Sequence, residues 1–191
     1  MNNRRISKHH FGLYCWFIQV VAVLCLTSVV IWLCLIPRNP IFTIVDFSFL
    51  VLNNKNSSLH ADNNSVILNL EIFNRNKGMS IYYDAINVAL NYNGLVVGKN
   101  STKGFYQGHK NIIRKEVQMY IVDELFWQGI GNGSIDFVVG LETTVKFKIF
   151  AWRTKQRGLN YVAYMSNATM SINGTISSEN LVKLYPKSLH F

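Results

Sequence analysis

The stretch IDFVVGLETTVKFKI, Ile135 to Ile149, sets Ile135, Phe137, Val139, Leu141, Val145, Phe147 and Ile149 at alternate positions. Successive side chains on a strand point to opposite faces, so this spacing builds one apolar face and one wetter face, and a helical stripe does not fit it. The same period of two recurs upstream in Val66, Leu68, Leu70 and Ile72, in Ile86, Val88, Leu90 and Tyr92, and in Ile113, Val117, Met119 and Ile121. Between Tyr92 and Leu95 lies Asn93-Gly94, the pair that tolerates both positive φ angles of a type I′ hairpin turn. Phe42 to Leu52 and Asn160 to Ser177 read as further strands, and only Val122 to Gln128 reads as a short helix. The expected fold is an antiparallel β-sandwich of about seven strands, occupying residues 37–191.

Ahead of these strands, Phe11 to Ile36 runs FGLYCWFIQVVAVLCLTSVVIWLCLI, twenty-six residues without a charge. About twenty suffice to cross a bilayer core. A cleaved signal peptide would have a shorter apolar core and a small-x-small cleavage site, so residues 11–36 are read as a retained signal anchor. Arg4, Arg5 and Lys8 precede the stretch and only Arg38 follows it closely, which orients residues 1–10 as a basic cytosolic tail. Pro37 and Pro40 punctuate the exit, because proline has no amide to donate and pushes its preceding residue toward extended structure.

Six N-x-[ST] sequons, at Asn56, Asn63, Asn100, Asn132, Asn167 and Asn173, all follow the apolar stretch. Such sites are glycosylated only on the lumenal side, so they point to the same topology as the charges do. Cys15, Cys25 and Cys34 all fall inside the apolar stretch, leaving the remainder without a disulfide or a zinc knuckle. Nothing in the chain carries catalytic chemistry: HExxH, GxSxG and Walker patterns are absent, and His60, His109 and His190 are too dispersed for a metal set. Gly129, Gly131 and Gly133 precede a strand rather than opening a helix, so they read as a hairpin connection and not a phosphate cradle. The expectation is a protein with no enzymatic activity, cofactor or metal.

Of nineteen Lys and Arg, the sixteen that follow the basic tail outnumber the ten Asp and Glu by six. Placed across a membrane from nucleic acid, such a domain is expected to meet acidic cell-wall polysaccharide, anionic headgroups or a membrane-protein partner instead. The densest basic feature is Lys146, Lys148, Arg153, Lys155 and Arg157, threaded through Phe147, Ile149, Phe150 and Trp152. An ordinary solvated sheet face has the same appearance, and the two readings stand side by side.

Three stretches resemble the plant non-race-specific disease resistance and harpin-induced-like membrane proteins, which carry a late embryogenesis abundant group-2 domain. They are Ile81-Tyr82-Tyr83-Asp84, then Gly104-Phe105-Tyr106-Gln107-Gly108-His109-Lys110, and Val145-Lys146-Phe147-Lys148 with Ala151-Trp152-Arg153-Thr154-Lys155. The resemblance implies a fibronectin type III-like sandwich, a plasma membrane location, in some members with plasmodesmata, and a role in pathogen or hypersensitive response. It implies no catalytic residue. Where the family has Asn-Pro-Asn, this chain has Asn74-Arg75-Asn76, which predicts a looser turn. Phe105 and Tyr106 are expected on a turn that plugs the sandwich end, with Gly104 and Gly108 at positive φ; Tyr82 and Tyr83 are expected to begin a strand, and Asp84 to bond turn amides. Leu181 to Phe191 is too short and charged for a lipid-anchor signal, which leaves the N-terminal span as the anchor. Two other classes stay open: a lipid-handling module, which an enclosed apolar cavity would favour, and a small type II secretory enzyme.

Overall fold

The structure, a computed structural model, describes residues 3–34, 36–50, 64–131, 135–168, 175–176 and 182–187. Two compact units divide the chain, Met1–Pro37 and Arg38–Phe191.

The first unit is helix α1 (Asn3–Cys34). At 1.5 Å per residue it is about 48 Å long. Within it Phe11–Leu33 is long and apolar enough to cross a membrane. Large side chains such as Leu13, Trp16, Leu24 and Trp32 are exposed around it. A helix apolar on every side has no polar stripe with which to face water.

The second unit is built from β1 (Ile41–Leu50), β2 (Ser65–Phe73), β3 (Ser80–Tyr83), β4 (Ile86–Tyr92), β5 (Leu95–Thr102), β6 (Phe105–Gln107) and β7 (Ile112–Tyr120), then helix α2 (Glu124–Gly131). It continues with β8 (Ile135–Ile149), β9 (Trp152–Arg153), β10 (Arg157–Ala168), β11 (Thr175–Ile176), β12 (Val182–Lys183) and β13 (Tyr185–Pro186). One antiparallel sheet runs β11-β1-β2-β7, with β12 also on β1; the other runs β13-β10-β8-β3-β6, with β4 and β9 also on β8 and β5 on β4. β8 is the spine of this second sheet. Along one edge it pairs with β10. Along the other it pairs first with β4 through Val138–Glu142 and then with β3 through Val145–Lys148.

The alternation read from the sequence is the burial pattern. Phe137, Val139, Leu141, Val145 and Phe147 of β8 are buried together with Val66, Leu68, Leu70 and Ile72 of β2 in one hydrophobic core shared by both sheets. Each fully buried side chain of this size contributes about 1.5–3 kcal/mol by leaving water. Phe126 of α2 is completely buried and meets Phe49, Tyr92, Trp127 and Phe137 edge-on, which closes one end of the core. Asn93 (φ 50°) and Gly94 (φ 80°) form the left-handed turn between β4 and β5 that their pairing requires.

Gly129 and Gly131 depart from expectation. Both belong to α2 rather than to a hairpin connection. The helix is held by burial of Phe126 and Ile130 and by Asp123, whose Oδ1 caps the Phe126 amide at 3.0 Å. Gly133 lies outside the described residues.

Candidate functional site

At one end of the two-sheet unit the strand ends Ile41, Phe73 and Ile112 come together in register, and Gln107, Ile81 and Phe147 do so on the second sheet. A buried polar clasp joins the two sheets here. Gln107 Nε2 donates to the carbonyls of Ile72 and Asn111, both at 2.8 Å, crossing from the second sheet to the first. Its Oε1 accepts the Tyr83 hydroxyl at 2.8 Å. Asn74 Nδ2 donates to the carbonyls of Met79 and Gly108, both at 2.9 Å. Asn74 Oδ1 accepts from the backbone amide of Asn76 at 3.1 Å and from its Nδ2 at 2.9 Å. Asn76 then holds the entering chain, accepting the Arg38 amide on Oδ1 and donating Nδ2 to the Arg38 carbonyl, both at 2.8 Å.

This corrects the expectation of a loose turn at Asn74-Arg75-Asn76. Asn74 and Asn76 are buried, and their amides supply the order that a proline ring would otherwise impose. Burial also pushes the Tyr83 phenol well above the ordinary tyrosine range, with Tyr161 adding to the effect. Tyr161 shifts upward for the same first reason, against the opposing pull of Arg157 and Arg75.

Other expectations for the motif need correcting too. Tyr82 and Tyr83 end β3 rather than begin a strand, and Asp84 accepts Gln156 Nε2 at 2.8 Å instead of bonding turn amides. Phe105-Tyr106-Gln107 is strand β6, paired with β3, not an aromatic plug on a turn. Alternation then separates the side chains: Phe105 stacks on Tyr83 at 4.6 Å and Gln107 turns into the core, while Tyr106 faces out. Neither Gly104 nor Gly108 has positive φ; the left-handed residue is Lys110, at φ 49°. Gly104 is needed for closeness, since a Cβ there would sit 2.7 Å from the Tyr83 carbonyl oxygen. His109 and Lys110 form an exposed turn, from which the Lys110 amide reaches the Asn76 carbonyl at 3.2 Å.

Three of the basic residues, Lys146, Lys148 and Arg153, lie on the outer face of the same end. Lys146 and Lys148 alternate with core-facing Phe147 on β8. Lys148 pairs with Arg153 across to β9, whose guanidinium lies 4.7 Å over the Tyr82 ring. Tyr82 in turn packs at 4.9 Å against Tyr106, whose hydroxyl donates to Ser80 Oγ at 2.8 Å. Lys155 and Arg157 follow, exposed. Thr154 pins the segment, accepting the Phe147 amide on its hydroxyl and donating its own amide to the Phe147 carbonyl. Among the described residues none of these five cations forms an ion pair; Arg114 and Glu71 do so elsewhere. The result is a positive face with the Tyr82 and Tyr106 rings set into it and the Asp84 carboxylate, held by Gln156, beside it.

Asn100 is exposed on β5; its Oδ1 accepts the Ser101 amide at 2.7 Å and its Nδ2 donates to the Gln118 carbonyl. An N-linked sugar leaves one hydrogen on that nitrogen, so the last bond is compatible with glycosylation. Asn167 lies near the end of β10, and Asn56, Asn63, Asn132 and Asn173 lie outside the described residues. Across the outer face of the second sheet runs an open groove of about 700 Å³, lined by Asn87, Ala89, Lys99, Glu142, Asn160 and Lys187 among others. It is open to solvent and mixes these polar groups with Val88, Val96 and Val162, so it is not the enclosed apolar cavity that would favour the lipid-handling alternative. Among the described residues no three His, Cys, Asp or Glu side chains gather as metal ligands would.

Comparison with known proteins relates these features to relatives. Residues 69–161, which span β2 to the middle of β10 and hold most of the clasp, match the late embryogenesis abundant protein family. Protein NDR1 of Arabidopsis thaliana is 31% identical over 160 residues, covering 78% of this chain and 70% of that protein. NDR1/HIN1-like protein 26 of Arabidopsis thaliana is 35% identical over 108 residues, covering 56% of this chain and 51% of the relative. A solved protein structure from Archaeoglobus fulgidus aligns over 68% of this chain and 96% of its own at 7% identity, with a TM-score of 0.36 that is too low to argue from.

Proposed function

Because this chain belongs to the NDR1/HIN1-like family of late embryogenesis abundant domain proteins, we propose that it is a membrane-anchored, non-enzymatic plant defence protein. In this reading residues 11–36 anchor it in the plasma membrane, with plasmodesmata as a further station, and residues 37–191 form a glycosylated, fibronectin type III-like ectodomain. The ectodomain works by contact with a cell-wall polyanion or a membrane-protein partner.

One observation carries the contact reading: Lys146, Lys148 and Arg153 share one outer face, Lys155 and Arg157 are exposed beside it, and none of the five has an ion-pair partner among the described residues. A cluster of like charges repels itself, and only an anionic partner recovers that energy. The long apolar helix supports the anchor, and the exposure of Asn100 supports a glycosylated surface.

The test is complementation. The full chain and its Lys148→Glu/Arg153→Glu/Lys155→Glu variant are expressed in plants lacking the endogenous protein, and bacterial growth in the leaf is counted. The intact chain restores restriction of growth; the variant reaches the same surface abundance but restores none. Equal restoration by both would remove the basic face from the mechanism.

A further inference from the structure

The β8–β9 hairpin carries two large aromatic residues that the core does not use, Phe150 in its turn and Trp152 at the start of β9. Phe150 is 87% exposed and Trp152 80% exposed. Phe150 also holds φ at 51°, a left-handed conformation that a bulky side chain rarely adopts and that glycine would adopt without strain. An aromatic ring this exposed adds little to the hydrophobic core. Conformations of this kind persist where the surroundings enforce them, and they concentrate at functional positions. The two-residue turn between the paired Ile149 and Trp152 imposes it here, and the bonds of Thr154 to Phe147 hold the hairpin.

Lys148 and Arg153 pair on the outer face of the same hairpin, beside Tyr82 and Tyr106, Trp152 pairs with Ile149 on its other face, and Lys155 follows, exposed. Aromatic rings at the tip and cations set behind them match the layers of a bilayer surface, where tryptophan favours the interface and lysine or arginine meets phosphate. The position of the loop agrees. Ile149 lies at the end of β8 that pairs with Ser80, the same end at which Asn76 grips Arg38 as the chain enters β1.

We propose that Phe150 and Trp152 dip into the headgroup layer of a phospholipid bilayer, while Lys148, Arg153 and Lys155 bind its anionic phosphates. This rests on the reading of residues 11–36 as a membrane anchor. Docking restrains the domain against the bilayer that its own span crosses, and it leaves the Asn93-Gly94 end facing away.

The experiment uses the full chain in lipid nanodiscs, with Trp16 and Trp32 changed to Phe so that Trp127 and Trp152 report. Discs contain phosphatidylglycerol and lipids brominated close to the headgroup. Bromine should quench Trp152 by roughly twofold, an effect absent in Trp152→Phe, reduced in Lys148→Glu/Lys155→Glu and weakened by 0.5 M salt. Trp127 lies at the other end of the core and should not respond. Phe150→Asp, at an exposed position, should release Trp152 without unfolding the domain, which unchanged Trp127 emission would verify. Equal exposure of Trp152 to acrylamide in discs and in detergent would overturn the proposal, and so would protection by polygalacturonate but not by the bilayer. In the parent chain, lipids brominated deep in the acyl region must quench Trp16 and Trp32. If they do not, the anchor reading itself fails, and the docking proposal fails with it.

Discussion

Replacing Asn74 by alanine tests the clasp directly. The side chain makes four hydrogen bonds at once, two as donor to the carbonyls of Met79 and Gly108 and two as acceptor from the amide and side chain of Asn76. It is fully buried, so water cannot simply replace it. At about 1 kcal/mol net per bond, and somewhat more for partners left dry, Asn74→Ala should cost about 3–5 kcal/mol. For a domain of this size that lowers Tm by about 8–16 °C. Asn74→Asp separates shape from donor capacity. It keeps the acceptors but sets a carboxylate against two carbonyls, which raises its folded pKa above the ~3.9 of the unfolded chain. A raised acid contributes stability that is present below that value and is lost as pH rises, so Asn74→Asp should recover as pH falls toward about 4, and Asn74→Ala should not. Urea melts of the full chain in detergent, followed by Trp127 emission, read both effects. A loss under about 1 kcal/mol for Asn74→Ala would refute the clasp as a stabilising device.

Other positions give further tests. Tyr83→Phe removes the buried bond to Gln107 and should cost about 1–2 kcal/mol in the same melts. Because burial raises the folded pKa of Tyr83, stability holds below the unfolded value near 10 and falls above it by up to about 1.4 kcal/mol per pH unit, a slope that Tyr83→Phe should reduce. Gly104→Ala drives a methyl group against the Tyr83 carbonyl and should cost about 1–3 kcal/mol, shown by a lower urea midpoint. Phe126→Ala empties the meeting point of the aromatic cluster and should cost about 3–5 kcal/mol, whereas Phe150→Ala, at an exposed and strained position, should cost none.

The strands were legible because burial imposes a period of two, and β2, β4, β7 and β8 fall where that period runs. The Asn93-Gly94 turn was legible because its chemistry is local. The clasp was not. Asn74, Asn76 and Gln107 are residue types common in loops, and what makes them structural is a set of carbonyls brought from elsewhere: Ile72 for Gln107, Gly108 for Asn74 and Arg38 for Asn76. Lys115 shows the same limit. It shares the inward parity of Ile113 and Val117 on edge strand β7, and a ring from the other sheet, Phe105 at 4.8 Å, accommodates its ammonium. The basic cluster could be read from composition, but its convergence on Tyr82 and the exposure of Phe150 required the register of β8, β9 and β3.

The side of the membrane that the two-sheet domain occupies decides whether wall contact and glycosylation are open to it. A C-terminally tagged full chain, expressed in plant cells, should migrate faster after enzymatic removal of N-glycans, and protease added to intact protoplasts should destroy the tag. No mobility change together with a protected tag would place the domain in the cytosol and contradict the account.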